Sequence, residues 1–286
     1  MLFWIEKGFR ETVYPLHFSL KIYARSTIFP YLITLHLIVV GLPSEEIQNS
    51  LRDAPYAPFN FYPKIPRVKV VGRSACSGIF IHPRIIFTNH ECIANSIHAE
   101  TKVKLRQALH QGKDAVYDII SINCAVNLLV LNNSAESAEI SNLSQKNDSL
   151  PQIGQYLTLT SWDTSAYVDG VQRGLLRSVN LTVEMSSMDC AKKLNITLGD
   201  GEIICAKVTS RIKLPKKIVG GPLTDSNGTV VGIAAFPKEL DNGEVLVVAT
   251  AVATQRESID KIRQSIEEGF SDSTTTPSRF TLLCDW

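Results

Sequence analysis

The chain has 286 residues, of which 44% are hydrophobic and 20% charged, as in a globular protein of one large domain or two lobes. Lys and Arg number 29 and Asp and Glu number 28. This charge balance excludes a global attraction to nucleic acid or to an anionic membrane, and a local basic patch stays open. The chain contains no phosphate-binding glycine loop and no nucleic-acid-binding motif.

Residues 1–41 have the pattern of a leader. Basic residues are spread over residues 1–26, and an apolar run follows from Thr27 to Leu42. The run is shorter than the ~20 apolar residues of a spanning helix and has the length of a signal-peptide core. Val39 and Gly41 are small, so we expect cleavage after Gly41. The long basic segment leaves an uncleaved anchor open, and only that form would attach the chain to a membrane.

Residues 42–65 are rich in Pro and Asn and have no sustained period, which predicts a linker or extended arm. After them, short apolar runs rich in β-branched residues alternate with turn signals, as in an all-β sandwich or barrel. The runs are Val68–Val71, Gly78–Ile81, Ile85–Thr88, Leu128–Leu131, Tyr156–Ser161, Leu175–Val183, Ile203–Val208, Val230–Phe236 and Val245–Thr250.

One helix is predicted near the C-terminus, over Thr254–Glu268. Ile259, Ile262 and Ile266 follow a spacing of three and four residues, and charged residues fill the other face. Gly269 is the expected C-cap. The stretch SDSTTTPSRF that follows is polar and low in complexity, so residues 269–286 are predicted to be a flexible tail.

The cysteines favour a disulfide framework in an exported chain. None forms a CxxC pair, and no His lies at zinc-site spacing from them, so a metal site is not expected. The six cysteines are Cys76, Cys92, Cys124, Cys190, Cys205 and Cys284.

Six N-x-S/T tripeptides agree with export, because such asparagines carry glycans at the surface of secreted proteins. These candidates for glycosylation are Asn132, Asn142, Asn147, Asn180, Asn195 and Asn227.

The segment from Cys76 to Cys92, CSGIFIHPRIIFTNHEC, resembles the first barrel of trypsin- and chymotrypsin-like serine proteases, CGGSLI…WVLTAAHC. Four more segments resemble the family in the family's order, over about Pro66 to Glu268. They are VNLLVLNN (DIALLKL in the family), Cys190 to Cys205 with IICAKV (C…MICAG), VGGPL followed by TVVGIAAF (GDSGGPL, then LVGIVSWG) and TAVATQRESIDKI (TRVSxYxxWI).

This resemblance implies an all-β fold for residues 66–268, with two antiparallel six-stranded β-barrels, a cleft between them and a C-terminal α-helix. It also implies the disulfides Cys76–Cys92 and Cys190–Cys205, each of which closes a loop of about 15 residues and stabilises the fold by roughly 3 kcal/mol in the chain-entropy model. Cys124 and Cys284 remain. They could pair with each other, Cys284 could join a partner chain, or both could be free thiols.

The resemblance places other residues where the family has its catalytic triad. The nucleophile position, before Gly220-Gly221-Pro222, is Val219, which has no lone pair for attack. The histidine position, before Cys92, is Glu91, and the aspartate position is Asn127. His90 is one residue from the base position and would point to the other face of an extended segment. No catalytic residue is therefore predicted.

Other positions of the family's site differ as well. Lys217 replaces a glycine of the oxyanion hole, and Ile218 replaces the aspartate that pairs with the new N-terminus after activation. Ala235–Pro237 replaces the SWG that binds substrate backbone, and proline offers no N–H group there. The base of the specificity pocket falls near Lys213, and Pro215 replaces a cysteine of the disulfide that spans the pocket.

Two further clusters carry weaker hypotheses. A basic cluster could bind a sulfated glycan or an acidic protein patch, or could be a solvated loop. A second group, in the region of a calcium loop in some family members, has no recognisable ligand pattern, so neither metal nor cofactor is predicted. The basic cluster is Arg211, Lys213, Lys216 and Lys217, and the second group is His98, Glu100, His110 and Asp114.

The sequence therefore predicts a secreted, non-catalytic serine protease homologue that acts by binding an extracellular protein, such as a protease or its substrate. By analogy with arthropod relatives, it would be a cofactor or regulator of an extracellular protease cascade. The alternatives are a binding module for anionic glycans or surfaces and an active serine endopeptidase. Fold alone does not decide among them.

Overall fold

The computed structural model describes residues 52–57, 64–70, 76–97, 101–105, 115–163, 167–168, 171–172, 175–198, 202–209, 212–215, 217–271 and 281–283. All belong to one compact unit, Glu46–Trp286. The predicted leader, residues 1–41, lies outside the described residues. No helix in the described part of the chain is long and apolar enough to cross a membrane.

The elements follow one another as strands with three helices among them. In chain order they are β1 (Arg52–Asp53), β2 (Arg67–Val70), β3 (Cys76–Ser77), β4 (Ile79–His82), β5 (Ile85–Phe87), α1 (His90–Ile97), β6 (Thr101–Leu105), β7 (Ala115–Asn123), β8 (Leu128–Leu131), β9 (Tyr156–Asp163), β10 (Tyr167–Val168), β11 (Val171–Gln172), β12 (Leu175–Met185), α2 (Ser187–Leu194), β13 (Ile203–Val208), β14 (Ile212–Lys213), β15 (Pro222–Thr224), β16 (Val230–Glu239), β17 (Val245–Ala251), α3 (Val252–Ser271) and β18 (Thr281–Leu283).

The first barrel is an antiparallel sheet in the order β3-β2-β6-β7-β8-β5-β4. Only Gly78 separates β3 from β4, so these are two halves of one bent strand, and the sheet has six antiparallel strands in effect, to which β18 adds a parallel pairing. A Cβ atom on Gly78 would lie 2.7 Å from Ile86 Cγ2, which explains the glycine at the bend. The core holds Phe80, Ile86 and Leu129, each fully buried.

The second barrel is closed, in the order β12-β13-β17-β16-β15-β9. Along β9, Leu157 and Leu159 point into its core while Tyr156 and Thr158 point outward, the alternation expected of a strand. The predicted architecture of two antiparallel barrels and a C-terminal helix is confirmed.

Helix α3 packs where the barrels meet. Ile259 is fully buried in a cluster with Ile79 of the first barrel and Ile233 of the second, and Ile262 and Ile266 pack beside it. The predicted periodicity is therefore confirmed. The helix runs on to Ser271, so Gly269 lies inside it and is not its C-cap. A glycine in the last turns of a helix costs only about 1 kcal/mol, which the buried isoleucines offset.

Residues 52–57, predicted to belong to a linker, instead pack on the second barrel. β1 pairs in parallel with β14, and Ala54 is buried in the barrel core. The Ala57 N–H donates to the Leu176 carbonyl at 2.9 Å, and the Ser178 N–H donates to the Pro55 carbonyl at 3.0 Å. These bonds cover the edge of β12 next to Leu176, beyond the end of its pairing with β13.

The prediction of a flexible tail over residues 269–286 is wrong for residues 281–283. β18 pairs in parallel with Ser121–Asn123 of β7. The pairing of β6 ends at Asp118, so β18 occupies the edge of β7 that β6 leaves open. Because an open edge offers unpaired N–H and C=O groups, it orders a short segment that follows a polar stretch and was expected to lack structure.

Candidate functional site

The residues that the sequence predicted at the triad positions lie near one another where the two barrels meet, a region that we call the cleft. On the first barrel, β5 ends at Phe87, and Asn89 starts helix α1 by accepting the Glu91 N–H at its Oδ1 (2.9 Å) and the Cys92 N–H at its carbonyl (3.0 Å). This cap leaves His90 and Glu91 exposed in the first helical turn. The carboxylate of Glu91 therefore lies in solvent at the helix N-terminus, where the helix dipole favours it.

Asn127 lies in the turn between β7 and β8 with a left-handed backbone, φ 56°. Its carbonyl accepts the Thr88 N–H at 3.1 Å, which ties the turn to the end of β5. Its side-chain Oδ1 is buried without a hydrogen-bond partner. A neutral amide tolerates this position, whereas a carboxylate without partners would pay a large desolvation cost.

Val219 lies on the second barrel and packs against the apolar core of the first barrel. It is 7% exposed, and its carbonyl accepts the Ser77 N–H at 3.0 Å. The Ser77 carbonyl in turn accepts the Thr88 hydroxyl at 2.7 Å. This chain of bonds connects Val219 to Thr88 and so to Asn127, and the Cys76–Cys92 disulfide holds the segment of Glu91 next to Ser77.

Gly220 explains how closely the two barrels approach. Its φ is +78°, and an added Cβ atom would lie 1.9 Å from the Ser77 carbonyl oxygen and 2.6 Å from Thr88 Oγ1. Only glycine fits this backbone and this contact. The GGPL segment therefore preserves barrel-to-barrel packing, a role that does not depend on a nucleophile at the preceding residue.

Ile218 is 1% exposed and belongs to the core of the second barrel together with Ala54. The Ala54 carbonyl accepts a hydrogen bond from Arg177 Nη1, and Arg177 Nε forms a half-buried ion pair with Asp163 Oδ2 at 3.0 Å. The position that the family resemblance assigns to an ion-paired aspartate thus holds an apolar side chain in the barrel core, and the nearby Arg177 pairs with Asp163.

The edge of β16 lines the cleft on the second barrel. Ala234 exchanges hydrogen bonds of 2.8 Å with Gly220 and Gly221, and the strand then continues through Ala235, Phe236 and Pro237. Phe236 is 38% exposed and Pro237 is exposed. Lys213 pairs through its backbone with β1, and Pro215 is buried.

Only some residues of the two predicted charged clusters are among those that the structure describes. Of the basic cluster, Arg211 and Lys216 lie outside the described residues, Lys213 is described only by its backbone, and Lys217 is half-buried. His98, Glu100, His110 and Asp114 also lie outside the described residues. No group of three or more metal-ligating side chains occurs in the part of the chain that the structure describes.

Displaced pKa values occur outside the cleft. Burial lowers the pKa of His82, at the end of β4. On α3, hydrogen bonds from Lys146 and Lys261 lower the pKa of Glu257 to about 2. Strongly displaced pKa values often mark functional sites. The pKa of Glu257 is instead explained by its two lysine partners in an exposed ion-pair network on α3.

The two predicted disulfides are present. Cys76 and Cys92 have Cα atoms 6.1 Å apart, and those of Cys190 and Cys205 are 6.2 Å apart. Cys124 is also disulfide-bonded. Its proposed partner, Cys284, lies outside the described residues, so that pairing stays a prediction.

The sequence did not predict a role for Ser77 and Thr88, whose hydrogen bonds join the cleft residues. Both lie inside the motifs that resemble the family, but neither is distinguished by spacing or residue type. Their roles depend on backbone carbonyls, which carry no signal in the sequence. The contact of Ala54 with Ile218 was missed for the same reason, because Pro and Ala around it have the composition of a loop.

A family model described as Trypsin matches residues 58–259. Among solved structures, neuropsin, a serine protease expressed in the limbic system of mouse brain, is 17% identical with a TM-score of 0.58, and the match covers 73% of this chain and 98% of that one. A scabies mite inactivated protease paralogue, S-I1, is 17% identical with a TM-score of 0.59, over 75% and 100% of the two chains. Human heparin binding protein is 22% identical with a TM-score of 0.54, over 73% and 95%.

A comparison with curated protein sequences finds no match. At these identities the solved structures establish the fold alone. The match of the family model covers more than half of the chain.

Proposed function

Because this chain belongs to the trypsin family, we propose that it is an exported, non-catalytic member of the family that acts by binding another protein. Val219 carries the proposal. It directly precedes Gly220 and Gly221, and its side chain is an isopropyl group. Acyl transfer by this family needs a hydroxyl at that position, and a hydrocarbon side chain cannot attack a carbonyl.

Among the residues that the structure describes, the hydroxyl groups beside this position do not substitute for it. Ser77, Thr88 and Ser161 lie next to the two glycines, and each is 0–1% exposed. The Ser77 hydroxyl accepts the Trp162 N–H, and the Thr88 hydroxyl donates to the Ser77 carbonyl. A nucleophile must reach the substrate carbonyl and a general base, and these buried groups reach neither.

Export is supported by the covalent framework. Disulfides such as Cys76–Cys92 and Cys190–Cys205 form and persist in oxidising compartments. The leader-like residues 1–41 and the six N-x-S/T tripeptides agree with the same route. We therefore assign the chain to the extracellular space, with membrane attachment only if the leader stays uncleaved.

The partner that we propose is an extracellular protein, either a protease or its substrate, and the binding surface is the cleft. Phe236 and Pro237 offer an exposed apolar contact at its edge, with little side-chain entropy to lose on binding. Two structural neighbours are described as scabies mite inactivated protease paralogues, so the same fold exists in proteins named for lost activity. A cofactor or regulatory role in a protease cascade would follow from such binding.

A second candidate is binding of anionic glycans. Several structural neighbours are human heparin binding protein or its variants, at 21–22% identity. In this chain the basic cluster of Arg211, Lys213, Lys216 and Lys217 would supply the charge. Retention on heparin that falls steeply with salt, and that is lost when the four residues are changed to Gln, would favour this function.

The experiment that tests the proposed function is a hydrolysis assay of the purified, secreted chain on a broad peptide library. An active trypsin-like protease runs in parallel, and the Val219→Ala variant is the matched control. We expect no turnover by either form of the chain. Turnover that copurifies with the chain and changes in the variant would contradict the proposal.

A further inference from the structure

The cleft and the turns that follow the same strands lie at opposite ends of the domain. β8 runs from Asn127, in the cleft, to Asn132 at its other end. β15 follows Gly220 and Gly221, and the turn of residues 225–229 follows it. β16 starts at Val230 beside that turn and reaches the cleft at Ala234. Four or five residues of extended strand separate the two ends by about 15 Å.

Three of the six N-x-S/T tripeptides gather at the end remote from the cleft, which we call the distal pole. Asn142 and Asn227 are exposed there, and the Asn142 carbonyl accepts the Val230 N–H at 2.8 Å. Asn147 is exposed in the turn of residues 145–148, next to Lys146, which forms an ion pair with Glu257 of α3. Helix α3 starts directly after Ala251, which pairs with Gly232 near the start of β16.

The local backbone presents these three side chains to solvent. The Asp225 carboxylate accepts the N–H groups of Asn227 and Thr229 at 2.9 Å, and Gly228 takes φ +77°. This tight turn holds Asn227 at its tip. At Asn142 the neighbouring Leu143 is 8% exposed and points inward, so the asparagine points outward. The bond from the Asp148 N–H to the Gln145 carbonyl closes the turn that exposes Asn147.

The other three tripeptides have different surroundings. Asn132 lies at the same pole but is half-buried, and its Oδ1 accepts the Asp118 N–H at 3.2 Å. Asn180 lies on a strand, with its Oδ1 3.4 Å from the Thr158 hydroxyl that donates to it. Asn195 caps α2 in a left-handed conformation. None of the segments around Glu91, Asn127, Val219 and Phe236 contains an N-x-S/T tripeptide.

We propose that Asn142, Asn147 and Asn227 carry N-linked glycans, so that the distal pole is covered by sugar and the cleft is bare. This inference rests on the export that is part of the proposed function. The co-reactant is an oligosaccharide linked to a polyprenyl diphosphate. The asparagine Nδ2 forms a bond to C1 of the first sugar, the C1–oxygen bond to diphosphate breaks, Nδ2 loses one proton, and the lipid diphosphate leaves.

The hydroxyl residue of each tripeptide offers a way to remove one site with little change to the fold. Ser144 is 4% exposed and its Oγ has no hydrogen-bond partner, so Ser144→Ala removes an unsatisfied polar group. Thr229 donates to Asp225 through its backbone, which Thr229→Ala keeps. Ser149 is exposed. Thr229→Ser and Ser149→Thr are matched controls that retain their tripeptides.

The first test uses the full chain with its own leader in a mammalian secretory cell line. The secreted protein is deglycosylated by an amidase in ¹⁸O-labelled water, which converts each glycosylated asparagine to an ¹⁸O-labelled aspartate. Peptide mass spectrometry then locates these marks. We expect marks at Asn142, Asn147 and Asn227, and loss of one gel-mobility step in each of the three alanine variants but in neither control. Unmarked peptides at all three positions, or a chain that never enters the secretory pathway, would overturn the proposal.

The second test asks whether the sugar covers only the distal pole. Ser226→Cys places a thiol beside Asn227, and Phe236→Cys places one at the cleft; both residues are exposed. Adding a mannose-binding lectin should slow maleimide labelling several-fold in the first variant and leave it unchanged in the second. Equal slowing in both would contradict a bare cleft. The hydrolysis assay on the same preparations tests loss of catalysis separately, so either proposal can fail alone.

Discussion

The two sides of the cleft hold the residues at the predicted triad positions in different ways. On the second barrel, Ile218 and Val219 are 1% and 7% exposed and belong to apolar cores. On the first barrel, Glu91 is exposed, and Asn127 buries an amide oxygen without a partner. The buried positions are therefore part of the packing, whereas the exposed position of Glu91 is not. Restoring family residues should therefore cost stability at the buried positions and almost none at Glu91.

The largest effect is expected from Ile218→Asp. A carboxylate would be buried in an apolar core whose nearby Arg177 already pairs with Asp163, so we expect a loss of about 3–5 kcal/mol in the free energy of unfolding. Much of a domain's stability would be lost. Ile218→Val is the control and should cost about 1 kcal/mol. Urea unfolding measures both, and an Asp variant as stable as the Val variant would break the comparison.

Gly220→Ala should rank second. The new Cβ would lie 1.9 Å from the Ser77 carbonyl oxygen, and the alanine would have to adopt a left-handed backbone conformation. We therefore expect a loss of about 2–5 kcal/mol in the free energy of unfolding. Gly228→Ala is matched to it, because Gly228 has φ +77° but no atom within 4 Å of the added carbon. Backbone strain alone should cost about 1–2 kcal/mol there. Equal losses would show that the barrels do not touch at Gly220.

Val219→Ser tests chemistry and packing together. A buried apolar side chain is replaced by a hydroxyl, so we expect a stability loss of about 1–2 kcal/mol. We also expect no peptide hydrolysis, because Glu91 and Asn127 do not reproduce the base and its orienting carboxylate. Thermal unfolding and a fluorogenic peptide assay measure the two effects. Hydrolysis above the level of wild-type chain would mean that a working base is present in the cleft.

The smallest effect is expected from Glu91→Ala on the exposed side. Its carboxylate is exposed in the first turn of α1 and no ion pair with another described residue holds it, so the free energy of unfolding should fall by about 0.5 kcal/mol or less. Glu91→Gln separates charge from side-chain length. A loss as large as that of Gly220→Ala would show that the exposed position is as structural as the buried ones.

The sequence predicts those parts of the fold that depend on side-chain pattern. Runs such as LLVL of β8 and the spacing of Ile259, Ile262 and Ile266 report burial directly, and the family motifs allow the two disulfides to be paired. The strap of residues 52–57 and strand β18 were not predicted, because backbone hydrogen bonds at an open strand edge order them. Such bonds do not select residue types.

The site was predictable to a similar degree. The motifs that resemble the family align Glu91, Asn127 and Val219 with the triad positions. They also show that no hydroxyl residue directly precedes Gly220. The bond from Ser77 to the Val219 carbonyl and the unsatisfied Oδ1 of Asn127 could not be predicted. They depend on how two barrels distant in sequence meet.

The central claim is that the cleft holds no activated nucleophile, and a fluorophosphonate probe tests it most directly. The purified, secreted chain is treated with the probe and its intact mass is measured, alongside an active trypsin-like protease as positive control. The account predicts an unchanged mass for the chain and one adduct on the control protease. A single stoichiometric adduct on the chain, at any residue of the cleft, would contradict it.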